Sequence, residues 1–303
     1  MPHPSARPAL LAHLPSWIGI GCGWLIAHLP WACYRPLAWL LARLIRPLMR
    51  ERGHIARTNI RLCFPELGKA AQDKLWRDSF DSMAFSLFEF ARGWWGHLRP
   101  VDAVTPIHGL NHLQDAQARG KGVLLVSAHL MTLEYCVKIL AQHAAIGGMY
   151  RPFDSAAFEW SVSEGRRTYT AAMYTRDELR AVLRHLKSGG TLWFAPDQET
   201  RRGDSVFVPF FGNPAWSLTS THQLAKLSGA AVVPLFHRRT ADGLYEIEIG
   251  NILEDFPGED PVADTARIMA LFEAMIRRCP EQYLWLHARF KRQPDGKPSP
   301  YIR

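Results

Sequence analysis

Cysteine is sparse and scattered in this sequence. Five stand at positions 22, 33, 63, 136 and 279 of 303 residues, an odd number with no pair at CxxC spacing. A disulfide framework and a cysteine-bound structural zinc are therefore not expected, and a reducing compartment fits best. The sequence also lacks HExxH, which would set two histidines on one helix face for zinc, so no metal is expected. No cofactor motif is present either. GxSxG does not occur, which argues against an α/β-hydrolase lipase. Repeats and low-complexity stretches are missing, and no linker divides the chain after residue 51. The basic residues belong to no recognised nucleic-acid module, so nucleic acid is not an expected partner.

Charge is missing from one long segment. Between Pro8 and Tyr34 there is no Lys, Arg, Asp or Glu, yet the whole chain carries 36 basic against 28 acidic residues, a net +8. Such a balance implies an anionic partner: a membrane surface, an acidic carrier protein or a phosphorylated substrate. Position narrows this. Arg35, Arg43, Arg46, Arg50, Arg52, Arg57 and Arg61 follow the uncharged segment with only Glu51 among them. The first of these alternate with Trp39, Leu40, Leu41, Leu44, Ile45, Leu48 and Met49, the pattern of an interfacial helix or of a surface helix docked on its own domain. Pro15 and Pro30 leave Ser16 to Leu29 uninterrupted, roughly 21 Å of helix at 1.5 Å per residue. A bilayer core is about 30 Å thick. The reading is one N-terminal anchor helix, spanning or deeply embedded, in a segment 1–50 that precedes a single domain, 51–303. The arginines after it place that domain on the cytoplasmic side.

The remainder alternates strands and helices. Asp73 to Trp95 reads as an amphipathic helix. Gly122 to Ser127 and Thr191 to Ala195 are short apolar runs that read as buried strands, and further strands end at Tyr150, run from Ala231 to Phe236 and from Leu244 to Ile249. Helices are expected from about Met131, over Asp177 to Lys187, over Trp216 to Leu227 and over Thr265 to Arg278. This order predicts an α/β fold with a central, largely parallel sheet flanked by helices.

Chemistry concentrates at strand ends. His129 follows the first apolar strand, where α/β proteins place their ligand crevice, and Glu134 lies five residues on. On one helix the two would sit about 140° apart. They can meet only if His129 precedes the helix and Glu134 lies in its early turn, where the carboxylate would fix the imidazole as a general base. A capping histidine with a surface glutamate is the plainer alternative. Arg166 is either a solvated helix-end residue or a site residue. Asp197 ends an apolar strand, where an unpaired acid is costly, and Arg166 is an expected partner. Tyr150-Arg151 and Arg201-Arg202 could bind phosphate, which the guanidinium fork suits. Trp94, Trp95, Phe88 and Phe90 form either core or an acyl groove. Cys136 reads as core filler.

Taken in order, several blocks resemble a known family. Asn59-Ile-Arg-Leu-Cys-Phe-Pro-Glu66, His129-Leu-Met-Thr-Leu-Glu134, Tyr150-Arg-Pro152, Ala195-Pro-Asp-Gln198, Ser205 to Gly212 and Pro280 to Lys291 are similar to blocks of the lipid A biosynthesis (lauroyl/myristoyl) acyltransferases of Gram-negative bacteria, within the wider glycerolipid acyltransferases. The similarity runs from the N-terminal segment to about Lys291. It departs at Gln198, where many relatives carry histidine, and at Ala288, which interrupts a frequent His-Arg-Arg-Phe run.

The resemblance implies a glycerolipid-acyltransferase-like fold in the inner membrane and transfer of a fatty acyl chain from acyl carrier protein to a hydroxyl of a lipid A precursor. It implies His129 and Glu134 as the catalytic pair, with Arg166 and Asp197 completing the site. The phosphate ligand of Tyr150, Arg151, Arg201 and Arg202 would be the lipid A precursor or the phosphopantetheine arm of the carrier. An ornithine lipid or glycolipid acceptor, or a non-catalytic lipid-binding membrane protein, are the alternative readings.

Overall fold

Helices and strands alternate through most of the chain in a computed structural model, which describes residues 7–200 and 203–302. Four helices come first: α1 (Leu14–His28), α2 (Tyr34–Leu48), α3 (Arg50–Cys63) and the long α4 (Lys69–Trp95). A short α5 (Pro100–Ala103) and β1 (Ile107–His108) lead to α6 (Leu110–Ala118). The alternating body follows: β2 (Val123–Val126), α7 (Leu133–Leu140), β3 (Ile146–Tyr150), α8 (Ala156–Arg167), β4 (Ala172–Thr175), α9 (Leu179–Lys187) and β5 (Thr191–Phe194). A hairpin of β6 (Ser205–Phe210) and β7 (Asn213–Leu218) precedes α10 (Ser220–Ser228), β8 (Ala231–Arg239), β9 (Tyr245–Ile249) and α11 (Pro261–Arg278).

Seven strands form one sheet in the order β1-β9-β8-β2-β5-β3-β4, parallel throughout except where β8 meets β9. The expected α/β fold with a largely parallel sheet is what forms. Strand β2 is central and buried on both faces, which is why its sequence is a continuous apolar run. Val123 and Leu125 join Tyr135, Val137 and Ile139 of α7 on one face. Leu124 and Val126 join Val182 and Leu186 of α9, Leu224 of α10 and Phe272 of α11 on the other. Entry into β2 needs a glycine. Gly122 has φ +76°, and a Cβ there would stand 2.3 Å from the carbonyl oxygen of Leu186.

Two expectations are not met in full. The first is the N-terminal anchor helix, spanning or deeply embedded: α1 has 15 residues, and no helix among the described residues is long and apolar enough to cross a membrane. Leu29, ahead of Pro30, takes the extended conformation that a following proline favours, and this ends α1. The chain then turns into α2, and both helices pack on α4. The second is the helix over Trp216 to Leu227. Asn213–Leu218 is strand β7 instead, paired with β6, and the helix starts only at Ser220. Phe211 and Gly212, at φ +50° and +71°, make the two-residue turn with both residues left-handed that matches strand twist. The apolar residues Trp216 and Leu218 belong to the period-2 pattern of that hairpin.

Candidate active site

The carboxyl ends of β2, β5 and β3 converge on one cavity. Because β2 pairs with β5, the loop 127–132 after β2 lies beside the segment after β5 that carries Asp197. The helix after β2 begins only at Leu133, so His129 sits ahead of it and Glu134 in its first turn, as the spacing requires.

Asp197 is fully buried and grips the loop twice. One carboxylate oxygen bonds Nδ1 of His129, and the other accepts the backbone N–H of the same residue at 3.1 Å. The Tyr283 hydroxyl donates to that second oxygen at 2.9 Å. Burial pushes the imidazole of His129 down, but the Asp197 carboxylate, by charge and hydrogen bond, more than offsets it and leaves the pKa above the ordinary value. Burial likewise works against ionised Asp197, yet His129 and Tyr283 hold its carboxyl well below the usual range. With Nδ1 engaged, Nε2 is the nitrogen free to act on a substrate, and the His129 side chain is 27 % exposed while that of Asp197 is not exposed at all.

Glu134 does not hold His129. Its two oxygens take a bidentate fork from Arg166, Nε at 2.9 Å and Nη2 at 2.7 Å, and one of them also accepts from the Tyr169 hydroxyl. The sequence reading paired His129 with Glu134 and Arg166 with Asp197; the structure exchanges the partners. Strand order is the reason: β5 brings Asp197 to His129, while the carboxyl end of α8 brings Arg166 to the first turn of α7. Burial opposes ionised Glu134, but Arg166 and Tyr169 outweigh it and its pKa is lowered, while that of Arg166 is raised. Close helix packing makes the fork possible. A Cβ on Gly165 would meet the backbone oxygen of Trp94 at 2.3 Å, so α8 can approach α4 only with glycine there.

The cavity holds about 220 Å³ and is lined by His129, Glu134 and Arg166 together with Leu133, Val137, Met149, Met173 and Trp193. Tyr150 and Arg151, the expected phosphate contacts, line it too. Tyr150 gives its hydroxyl to Glu159 at 2.5 Å, whereas Arg151 is exposed and lies 3.5 Å from Asp154. Arg201 and Arg202 lie outside the described residues. Phe88, Phe90, Trp94 and Trp95 do not line the cavity; Phe88 is buried against Tyr34 and Ala38, and the wall aromatics are Tyr150, Phe153 and Trp193. A larger groove of about 900 Å³ between α2, α4 and the β8–β9 turn contains none of the site residues.

Sequence reasoning missed Tyr283 and Tyr169. Tyr283 stands inside the Pro280 to Lys291 block, and that block clasps the catalytic loop: Met131 N–H donates to Gln282 at 2.7 Å and Leu284 N–H to His129 at 3.2 Å. Tyr169 carries no motif signal. Cys136 is buried on α7, and burial pushes its thiol well up, which removes it as a nucleophile. Among the described residues no group of three or more His, Cys, Asp or Glu is placed to hold a metal.

A histidine backed by a buried aspartate opens on an apolar cavity at the carboxyl edge of a parallel sheet, an arrangement chemically able to accept a proton. Comparison with known proteins gives the class. Residues 4–292 match the family model of the bacterial lipid A biosynthesis acyltransferases. The chain is 35% identical over 293 residues to a lipid A biosynthesis lauroyltransferase of Escherichia coli (strain K12), covering 94% of each chain. It is 35% identical over 289 residues to a palmitoleoyltransferase of the same organism, covering 95% of this chain and 94% of that one. A myristoyltransferase from that source is 23% identical over 300 residues, covering 95% and 90%. The chain therefore belongs to the lipid A biosynthesis acyltransferase family, and is an acyltransferase of lipid A.

Proposed function

We propose that the protein moves a fatty acyl chain from the thioester of an acyl carrier protein to a hydroxyl of a lipid A precursor, with His129 as general base. The observation that carries this reading is the His129–Asp197 contact at the mouth of the apolar cavity. Asp197 keeps Nδ1 protonated, so Nε2 accepts the hydroxyl proton as that oxygen attacks the thioester carbonyl. The new C–O bond forms, the C–S bond breaks, and the imidazolium returns its proton to the departing thiolate. A thioester is already activated, so no acyl-enzyme is required. Leu133, Val137, Met149 and Met173 offer the acyl chain an apolar wall. Glu134, held by Arg166 and Tyr169, shapes that wall next to the base without touching it.

The test is acyl transfer by purified protein from acyl carrier thioester to lipid A precursor, read by mass spectrometry. His129→Ala should lower turnover by about 10²–10⁴, the range for a general base. Near-normal turnover in that variant, or an acyl group trapped on the enzyme, rejects the reading.

The N-terminal helices support a membrane-surface setting on the cytoplasmic face of the inner membrane. Leu37, Leu40, Leu44 and Leu48 are exposed at helical spacing along α2, as are Ile18 and Leu25 on α1. Such a face lies in the interfacial plane while its arginines meet lipid phosphates. The protein should sediment with anionic vesicles and resist release by salt; quantitative release by salt alone would leave charge as the only attraction.

A further inference from the structure

A second histidine stands beneath the catalytic loop and takes no part in the chemistry described so far. His237, on β8, is fully buried. Strand β8 is the neighbour of β2 on the side away from β5, so His237 approaches the loop from the flank opposite Asp197. Its Nδ1 lies 2.8 Å from the Thr132 hydroxyl, and its Nε2 lies 3.4 Å from the Ser127 hydroxyl. Ser127 is the first residue after β2, Thr132 is the residue that opens α7, and His129 lies between them.

We infer that His237 is a positioning residue that ties the two ends of the catalytic loop together and thereby sets the height of His129 over the cavity. The inference rests on the reading of His129 as base and adds a determinant to that same site.

One arrangement of protons satisfies all three contacts with a neutral ring. The Ser127 hydroxyl donates to the carbonyl of Ala128 at 3.1 Å, so its oxygen accepts from Nε2–H of His237. Nδ1, without a proton, then accepts from the Thr132 hydroxyl. A neutral imidazole with its proton on Nε2 satisfies both ends and leaves the Ser127 hydroxyl on the Ala128 carbonyl. Burial without a neighbouring carboxylate keeps it neutral, its pKa pushed down to about 3. The loop is thus held from two sides, by Asp197 through the His129 side chain and backbone, and by His237 through the hydroxyls at its ends. A buried neutral histidine, in contrast to a leucine of similar bulk, supplies two directed bonds from the two nitrogens of one rigid ring. Displacement of a catalytic group by about 1 Å costs roughly 100-fold in rate, so loosening these ties should be visible in turnover.

The test uses the full chain and measures turnover and donor KM in the acyl-transfer assay for His237→Leu, His237→Gln and Thr132→Val, with His129→Ala in parallel. His237→Leu should lower kcat roughly 10- to 100-fold with donor KM within about twofold, because the loop and not the acyl wall is disturbed. His237→Gln, which keeps a donor and an acceptor, should recover part of that loss. Thr132→Val removes one bond and fills the same volume, so a fall in kcat alone supports the inference even if His237→Leu fails to fold. Normal kcat in a folded His237→Leu protein or in Thr132→Val overturns it, as does an equal loss in the leucine and glutamine variants. If His129→Ala keeps its turnover, the reading of the base falls, whatever His237 does. If only His129→Ala is inactive, the inference about His237 falls alone.

Discussion

Two buried carboxylates flank one cavity and do different work. Asp197 lies against an imidazole whose far nitrogen reaches the substrate side, and its charge raises the basicity of that ring. Glu134 lies against a guanidinium that stays charged in all conditions, and its charge joins α7 to α8. The difference is in the partner. A carboxylate facing a group that titrates near neutrality tunes chemistry, whereas one facing a permanent cation tunes geometry. On the proposed mechanism, one carboxylate bears on the rate and the other on the shape of the site.

The sharpest way to break this comparison is to neutralise each acid in turn. Asp197→Asn should lower kcat by about 10³–10⁴, since the amide no longer stabilises the imidazolium or fixes the tautomer. Its pH profile should move as well. In the wild type, activity should rise with pH as His129 loses its proton, with a midpoint above the ordinary value of about 6.5 because Asp197 favours the charged form. Without that carboxylate only burial remains, which lowers the pKa, so the midpoint of the residual activity should move to lower pH. Measuring kcat from pH 5 to 9 in both proteins decides it: an unmoved midpoint would separate Asp197 from the base.

Glu134→Gln should show the reverse pattern. Arg166 and Glu134 have side chains only 14% and 9% exposed, and removal of one charge leaves the other buried without compensation. Such a loss costs about 3–5 kcal/mol. Denaturant unfolding should register this as a shift of the midpoint at unchanged slope, while kcat of the folded fraction falls less than in Asp197→Asn. Arg166→Lys should not restore stability, because lysine keeps the charge and loses the fork. A glutamine variant as stable as wild type, with turnover as low as Asp197→Asn, would falsify the division of roles.

Much of this site was legible in the sequence, and the part that was not has a physical reason. The apolar runs of β2 and β5, the residues His129 and Asp197 directly after them, and Arg166 at a helix end were all readable from local pattern. Their pairing was not. His129 and Asp197 are 68 residues apart, and only the adjacency of β2 and β5 in the sheet brings them together. Five-residue spacing made Glu134 the nearer partner in sequence, but its direction from the first turn of α7 leads to α8. The β6–β7 hairpin was hidden for a different reason. Its turn is Phe211-Gly212, without the Asn-Gly or Asp-Gly signal, and the strand runs almost directly into helix α10, with only Thr219 between them. In the N-terminal segment the prolines were legible as helix bounds, and Pro30 divides its apolar residues between two helices.

The smallest expected effect tests how far the Asp197 side of the comparison extends. Tyr283 donates to the carboxylate oxygen that also receives the His129 backbone N–H, and its ring is buried against Trp285. Tyr283→Phe removes the hydroxyl and keeps the ring. A hydrogen bond to a charged group contributes about 1.5–3 kcal/mol, but the carboxylate retains two contacts from His129 and can relax toward them. We expect kcat to fall roughly 3- to 30-fold and donor KM to stay within about twofold. The sign of the pH shift distinguishes a tuning role from a merely structural one. Loss of the tyrosine donor leaves Asp197 less stabilised as an anion and a stronger acceptor for the imidazolium, so the midpoint of the activity profile should rise slightly. In Asp197→Asn it should fall. Opposite shifts from two variants that touch the same carboxylate group would show that its charge, and not the packing around it, sets the basicity of His129.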